Sequence, residues 1–213
     1  MTRAAKIIMI TPFVIFAILL VTAIFIGKMI GVWVWVPICI IYWSSMAIVC
    51  FGIAGVGGIK NMFGASKGSM LWPILSILVA LILLPVQFIP NIRVFSQLWV
   101  LPITIIVAMI NSFVEEIYWR GMYGNFVNRI PKWGIIAYSS VLFSLMHIAL
   151  AVYSIASRYP PLYISLIVLG VLWSISYNQT RSLRWPVITH IMVDTFTLCV
   201  PVFMNIYIPP GMG

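Results

Sequence analysis

Apolar residues run through this chain in blocks longer than a soluble core requires. Uncharged apolar windows of about 18 to 20 residues, enough to cross a bilayer core as a helix, fall at roughly 7–26, 31–54, 70–89, 98–119, 134–155, 161–177 and 186–207. The first begins IIMITPFVIFAILLVTAIFI. It is too long for a signal-peptide core and further spans follow at once, so it reads as a retained anchor. No repeat, low-complexity tail or long linker divides the chain. The pattern therefore predicts an all-α fold: a polytopic membrane helix bundle of about seven transmembrane helices, built as one integral membrane domain over residues 1–213.

Composition agrees, with 63% apolar residues, 7% charged residues and a mean hydropathy of +1.16. The relevant solvent is lipid. The basic residues then orient the chain, because short cytoplasmic loops carry the excess of Lys and Arg. Segments on the N-terminal side of the membrane (residues 3–6, 60–67, 120–132 and 181–184) hold nine of them, and the alternate segments hold three, Lys28, Arg93 and Arg158. That imbalance predicts a cytoplasmic N-terminus, an outside C-terminus and residence in the plasma membrane. The net charge of +9 is spread over both faces rather than gathered in a stripe, which argues for anionic lipid headgroups as partners and against nucleic acid. Cys39, Cys50 and Cys199 lie within apolar spans without a CxxC pair, and read as small buried hydrophobes. The glycine-rich stretch GIAGVGGIKNMFGASKGS lacks the ending of a phosphate loop and is expected to let backbones approach closely before a cytoplasmic turn.

Against this background the acids and histidines stand out. The chain has three acids, Glu115, Glu116 and Asp194, and two histidines, His147 and His190. Every one lies in an apolar span, where an unpaired charge costs at least ~2.5 to 3.5 kcal/mol. Glu116 and Arg120 are four apart and share a helix face, so they can pair, with Arg120 expected near the headgroups. Glu115 points about 100° away around the helix and has no evident local partner. His147 falls roughly 20 Å along the fifth span at 1.5 Å per residue. His190 and Asp194 are again four apart, in RWPVITHIMVD, whose proline suits a first helical turn. The span directions bring all these groups to the cytoplasmic half, where a shared polar cavity would satisfy them together.

Two or three carboxylates and two imidazoles, with no serine or cysteine poised beside a base, suit water activation. A carboxylate and a neighbouring imidazole can together take a proton from water for attack on a carbonyl. A second imidazole, held by Asp194, can donate to the oxyanion that forms. The expected reaction is amide hydrolysis within the membrane.

EEIYWR, FSLMH and HIMVD resemble, in order and spacing, the EExxxR, FxxxH and HxxxN/D motifs of the CPBP family, the CAAX-protease and bacteriocin-processing membrane proteins. The resemblance covers a catalytic core at about 98–207. It implies a type II CAAX-protease fold and an intramembrane endopeptidase. Carried over by residue, Glu115 is the general base, His147 its partner, Glu116 and Arg120 a supporting pair, and His190 with Asp194 the oxyanion side. Characterised CAAX-cleaving members are expected to have asparagine at the last position, where ionised aspartate accepts but cannot donate. The implied substrate is a membrane-tethered peptide or a prenylated protein. No cofactor is expected. The alternative is a zinc-dependent protease using the same cluster, although no HExxH helix supplies the usual ligands. Two other classes remain beside it: a proton-coupled carrier, which should show broken helices in pairs or a repeat, and a catalytically silent immunity or scaffold protein.

Overall fold

Lipid offers no hydrogen bonds, so a spanning backbone must satisfy its own polar groups, and the chain does so with helices. The computed structural model describes residues 1–209, and among them there is no strand. The main helices are α1 (Arg3–Ile30), α2 (Trp35–Met62), α3 (Leu71–Leu83), α4 (Val100–Glu116), α5 (Lys132–Met146), α6 (Pro160–Thr180) and α7 (Arg184–Phe196), followed by the short α8 (Cys199–Phe203). Each of the seven predicted windows meets one main helix.

Five helical stretches are long and apolar enough to cross a membrane: Arg3–Met62, Leu71–Ser96, Val100–Phe126, Lys132–Val152 and Pro160–Thr180. The first of these is two antiparallel helices. Gly31, at φ 59°, ends α1 and lets the chain reverse. The reversal brings Ile8 of α1 and Met62 of α2 to the same end of the bundle. There Tyr118 and Tyr123 donate to the Ile8 carbonyl at 3.0 and 3.1 Å, and the Met62 sulfur takes the space a Cβ on Gly121 would need. The seventh window differs from expectation. Its helix stops after 13 residues at Phe196, about 20 Å of rise, and the chain passes through a left-handed Leu198 at φ 60° before α8 begins.

The remaining helices alternate in direction. At one end, the turn between α2 and α3 is latched to the turn between α6 and α7, by Lys67 N–H to Thr180 O at 2.7 Å and Leu183 N–H to Met62 O at 2.8 Å. At the other end, Gln87 donates to Thr197 O at 3.0 Å, and Ser154 to Val202 O at 3.1 Å. The alternation gathers Arg3, Lys6, Lys60, Lys67, Arg129, Lys132, Arg181 and Arg184, all exposed, at the first end, and leaves Lys28, Arg93 and Arg158 at the second. One base breaks the sequence count. Arg120 is 2% exposed and inside the bundle, not near the headgroups, so the imbalance is eight to three.

The glycine-rich stretch also departs from expectation. Gly52, Gly55 and Gly57 have open space beside them, and α2 bends at Gly55, φ 63°, rather than packing tightly there. The close approach is at Gly68, φ 76°, where a Cβ would meet the Gln179 carbonyl oxygen at 2.7 Å.

Candidate active site

The acids sit deeper than their distance from the end of an apolar window suggests. Beyond Glu116 the fourth helix continues as a wide π turn, Ile117–Met122, and then a last α-helical turn, Tyr123–Phe126. Glu115 therefore lies near the middle of Val100–Phe126, not a turn from its cytoplasmic end. Inserted π turns recur at functional sites because they re-aim the side chains around them.

Glu116 is fully buried and pairs with Arg120, Nη1 to Oε1 at 2.9 Å. The guanidinium carbon lies 4.7 Å from the ring centre of Phe143 and 5.1 Å from that of Trp173, so aromatic faces complete its surroundings. The same Glu116 oxygen lies 2.8 Å from His190 Nδ1, and the imidazole stacks on Trp173 at 4.1 Å. His190 Nε2 stands between Asp194 Oδ1 at 3.4 Å and Glu115 Oε2 at 3.5 Å. Ionised carboxylates only accept, so donation on both sides needs a proton on both ring nitrogens. His190 is thus the junction of all three acids.

Glu115, 1% exposed, has partners that the sequence reading did not identify. Tyr42 O–H donates to its Oε1 at 2.6 Å, and Asn111 Nδ2 donates to its Oε2 at 2.9 Å. Asn111 Nδ2 also donates to Asp194 Oδ2 at 3.0 Å, while its own oxygen accepts from Trp43 Nε1 at 2.9 Å. Tyr42 in turn accepts from Trp119 Nε1 at 3.1 Å. Asn111 is a local partner of Glu115 one helical turn back, a spacing visible in the sequence. Tyr42 is 73 residues away, and only the reversal after α1 brings it there.

His147 ends α5 at its change to a 3-10 helix, and its Nδ1 lies 3.1 Å from the Phe143 carbonyl oxygen. A carbonyl accepts only, which places the ring proton on Nδ1 and leaves Nε2 as the free base. The expected direct contact with Glu115 is not formed: among the described residues His147 has no ion pair. Instead, His147 and Glu115 face one cavity of about 60 Å³, together with Tyr42, Asn111 and Asp194 at its polar end. A single water needs roughly 10–15 Å³ measured this way, so the cavity has room for several. Ile38, Cys39, Val107, Leu150, Cys199 and Phe203 form much of its apolar wall. Glu116, Arg120 and His190 lie behind the carboxylates and do not line it.

For the zinc alternative, the donors do not fit. Among the described residues no three His, Cys, Asp or Glu side chains are grouped as metal ligands. The physical reason is visible in the contacts: both nitrogens of His190 face carboxylates and Nδ1 of His147 faces a carbonyl. One free imidazole nitrogen remains between them.

Fold and site together define a helical integral membrane protein with a buried carboxylate and histidine cluster at an intramembrane cavity. Residues 97–196, just under half of the chain, match the family described as Type II CAAX prenyl endopeptidase Rce1-like. That segment contains EEIYWR, FSLMH and His190 with Asp194, and is similar in this stretch to the Rce1-like, CAAX-type membrane endopeptidases. No curated protein and no solved structure matches.

Proposed function

We propose that the protein is an intramembrane endopeptidase that hydrolyses a peptide bond in a membrane-tethered substrate, with water activated by Glu115 and His147. The observation that carries this reading is the shared cavity. It sets the one carboxylate held by Tyr42 and Asn111 opposite the one imidazole nitrogen left free. Water held there gives a proton to Glu115 while His147 Nε2 accepts its second hydrogen bond, and the water oxygen bonds to the scissile carbonyl carbon. Once Glu115 is protonated, the Asn111 N–H that it had accepted is free to turn to the oxyanion, with His190 behind the carboxylates. Collapse breaks the C–N bond, and the proton on Glu115 passes to the leaving amine.

Asp194 holds His190 in place and is itself held by the Asn111 amide. This arrangement puts an amide beside the position where the family pattern would have one on the last motif residue. The glutamate type is favoured over the metallo type by the poor fit of the donors to zinc. Purified enzyme is expected to keep its activity after exhaustive chelation. Loss on chelation, restored by zinc, would reverse that preference.

The direct test compares membrane-protein termini between cells carrying the wild-type chain and cells carrying Glu115→Gln. New termini found only with wild type support proteolysis. If no terminus depends on Glu115 while the biological effect of the chain survives the substitution, the silent scaffold reading takes its place.

A further inference from the structure

Pro12 lies inside α1 and is buried. A proline has no N–H, so the carbonyl four residues back, that of Ile8, loses its partner in the helix ladder. Ile8 is itself fully buried, and in a protein surrounded by lipid an unmatched carbonyl is costly. The missing donor is replaced from elsewhere in the chain. Tyr118 and Tyr123 both donate to the Ile8 oxygen, at 3.0 and 3.1 Å, one phenol for each lone pair. Tyr138 of α5 donates to the next carbonyl, that of Met9, at 3.0 Å.

Two tyrosines five apart meet on one atom because of the backbone between them. At roughly 100° per residue an α-helix would set them about 140° apart around its axis. Tyr118 instead lies in the π turn Ile117–Met122, which ends just before Tyr123. Closure from i to i+5 brings positions five apart onto one side. The Ile8 oxygen therefore suits the π register and not the α register.

That register bears on the site, since the turn follows directly on Glu115 and Glu116 and carries Arg120. Tyr123 stacks on Trp119, with ring centres 5.7 Å apart and planes at 18°. Trp119 Nε1 donates to the Tyr42 hydroxyl at 3.1 Å, and Tyr42 donates to Glu115 Oε1 at 2.6 Å. A continuous set of contacts thus joins the Ile8 carbonyl to the carboxylate that faces the cavity. Ile8 and Pro12 lie outside residues 97–196, so the motifs of that segment carry no trace of this support.

We propose that Pro12, Tyr118 and Tyr123 are positioning residues: the carbonyl that Pro12 leaves free holds the chain after Glu116 in its π turn, and the π turn aims Glu115 and Arg120. For turnover the inference rests on the proteolytic reading above, whereas for the placement of the carboxylates it does not.

A contact that only fastened α1 to the bundle would affect stability and nothing else. Three variants separate the two roles: Pro12→Ala, Tyr118→Phe with Tyr123→Phe, and all three substitutions together. Pro12→Ala supplies the N–H and leaves two buried phenols competing with it for one oxygen. The paired phenylalanine substitutions leave the oxygen bare. Each should lower the thermal midpoint in detergent. Combined, they restore the ordinary helix bond and remove the phenols that needed an acceptor, so the midpoint should recover toward wild type. The π turn is then still without its template. On a peptide reporter whose cleavage depends on Glu115, the triple variant is expected to keep kcat roughly 10- to 100-fold below wild type, with KM little changed. A recovered midpoint together with wild-type kcat would overturn the inference. So would a triple variant whose midpoint falls by the sum of the separate losses, because the three residues would then not share one carbonyl.

The second readout needs no activity. The chain has two glutamates, Glu115 and Glu116, so protein isotopically labelled at the glutamate carboxyl carbon gives two signals by solid-state NMR in lipid, which Glu115→Gln assigns. Both are expected to move in the triple variant. Unmoved signals would overturn the inference whether or not the chain cleaves peptides. Moved signals in a chain with no Glu115-dependent cleavage would uphold the placement and remove the proteolytic reading instead.

Discussion

Asp194 faces the His190 imidazole at 3.4 Å and accepts from Asn111 at 3.0 Å. Asp194→Asn keeps a group able to accept from Asn111 but loses the charge facing His190, so activity should fall within about tenfold, or ~1.4 kcal/mol of barrier. Asp194→Ala removes both contacts, leaves His190 and Asn111 without that partner, and should cost more than Asp194→Asn. Glu115→Gln should be worse still, since an amide cannot take a proton from water. Rates on a cleaved reporter would rank the three, and an Asp194→Asn enzyme as inactive as Glu115→Gln would make Asp194 itself a base. Arg120 predicts a different signature. Removing one partner of a buried ion pair typically costs ~3–5 kcal/mol, so Arg120→Ala should lower the thermal midpoint in detergent together with activity, while Glu115→Gln should leave the midpoint near wild type. The pairing of Glu116 with Arg120, and of His190 with Asp194, was legible from spacing because residues four apart on a helix must be neighbours. Tyr42 was not, since its contact with Glu115 depends on how two helices lie against each other.

Three helical irregularities lie close to the acids and histidines, while others, such as the bend at Gly55 and the π turn Leu84–Phe88, do not. The π turn follows directly on Glu116, the 3-10 segment starts at His147, and the left-handed residue comes four after Asp194. Each interrupts the regular backbone ladder within a turn or so of a polar side chain. Apolar windows gave the existence and order of these helices, because burial in lipid demands length and apolarity whatever the local geometry. They did not show the interruptions, since a π turn or a break costs little sequence signal when the flanking residues are equally apolar. Helix packing supplies the test at this scale. A Cβ on Gly170 in α6 would stand 3.0 Å from the Ser140 side chain and 3.2 Å from its Cα in α5. Gly170→Leu should therefore force these helices apart at a cost of ~1–3 kcal/mol, the usual range for overpacking. A detergent melting curve that is unchanged by the substitution would show that the two helices are not in this close contact.

At the scale of the molecule, the alternation of helices places exposed bases at both ends in the ratio eight to three. An epitope at the N-terminus should be protected in intact cells, and one after Gly213 should be accessible from outside. Both epitopes on one face would require an even number of crossings, a particular risk given that α7 is only 13 residues long. The sequence by itself determined that the chain lives in lipid, how many apolar windows it has, and that its acids and histidines must answer for one another. Those conclusions need only the cost of charge in hydrocarbon and the 3.6-residue period, both of which act locally. Tertiary structure decided which imidazole holds the acids, with His190 at their junction and His147 across the cavity, because that depends on the rotation of helices about their axes. It alone set Arg120 inside the bundle, brought Tyr42 to Glu115, and built the cavity that Glu115 and His147 share. Nothing local distinguishes these arrangements from their alternatives, since every face of such helices is apolar and only the fit between neighbouring side chains selects one.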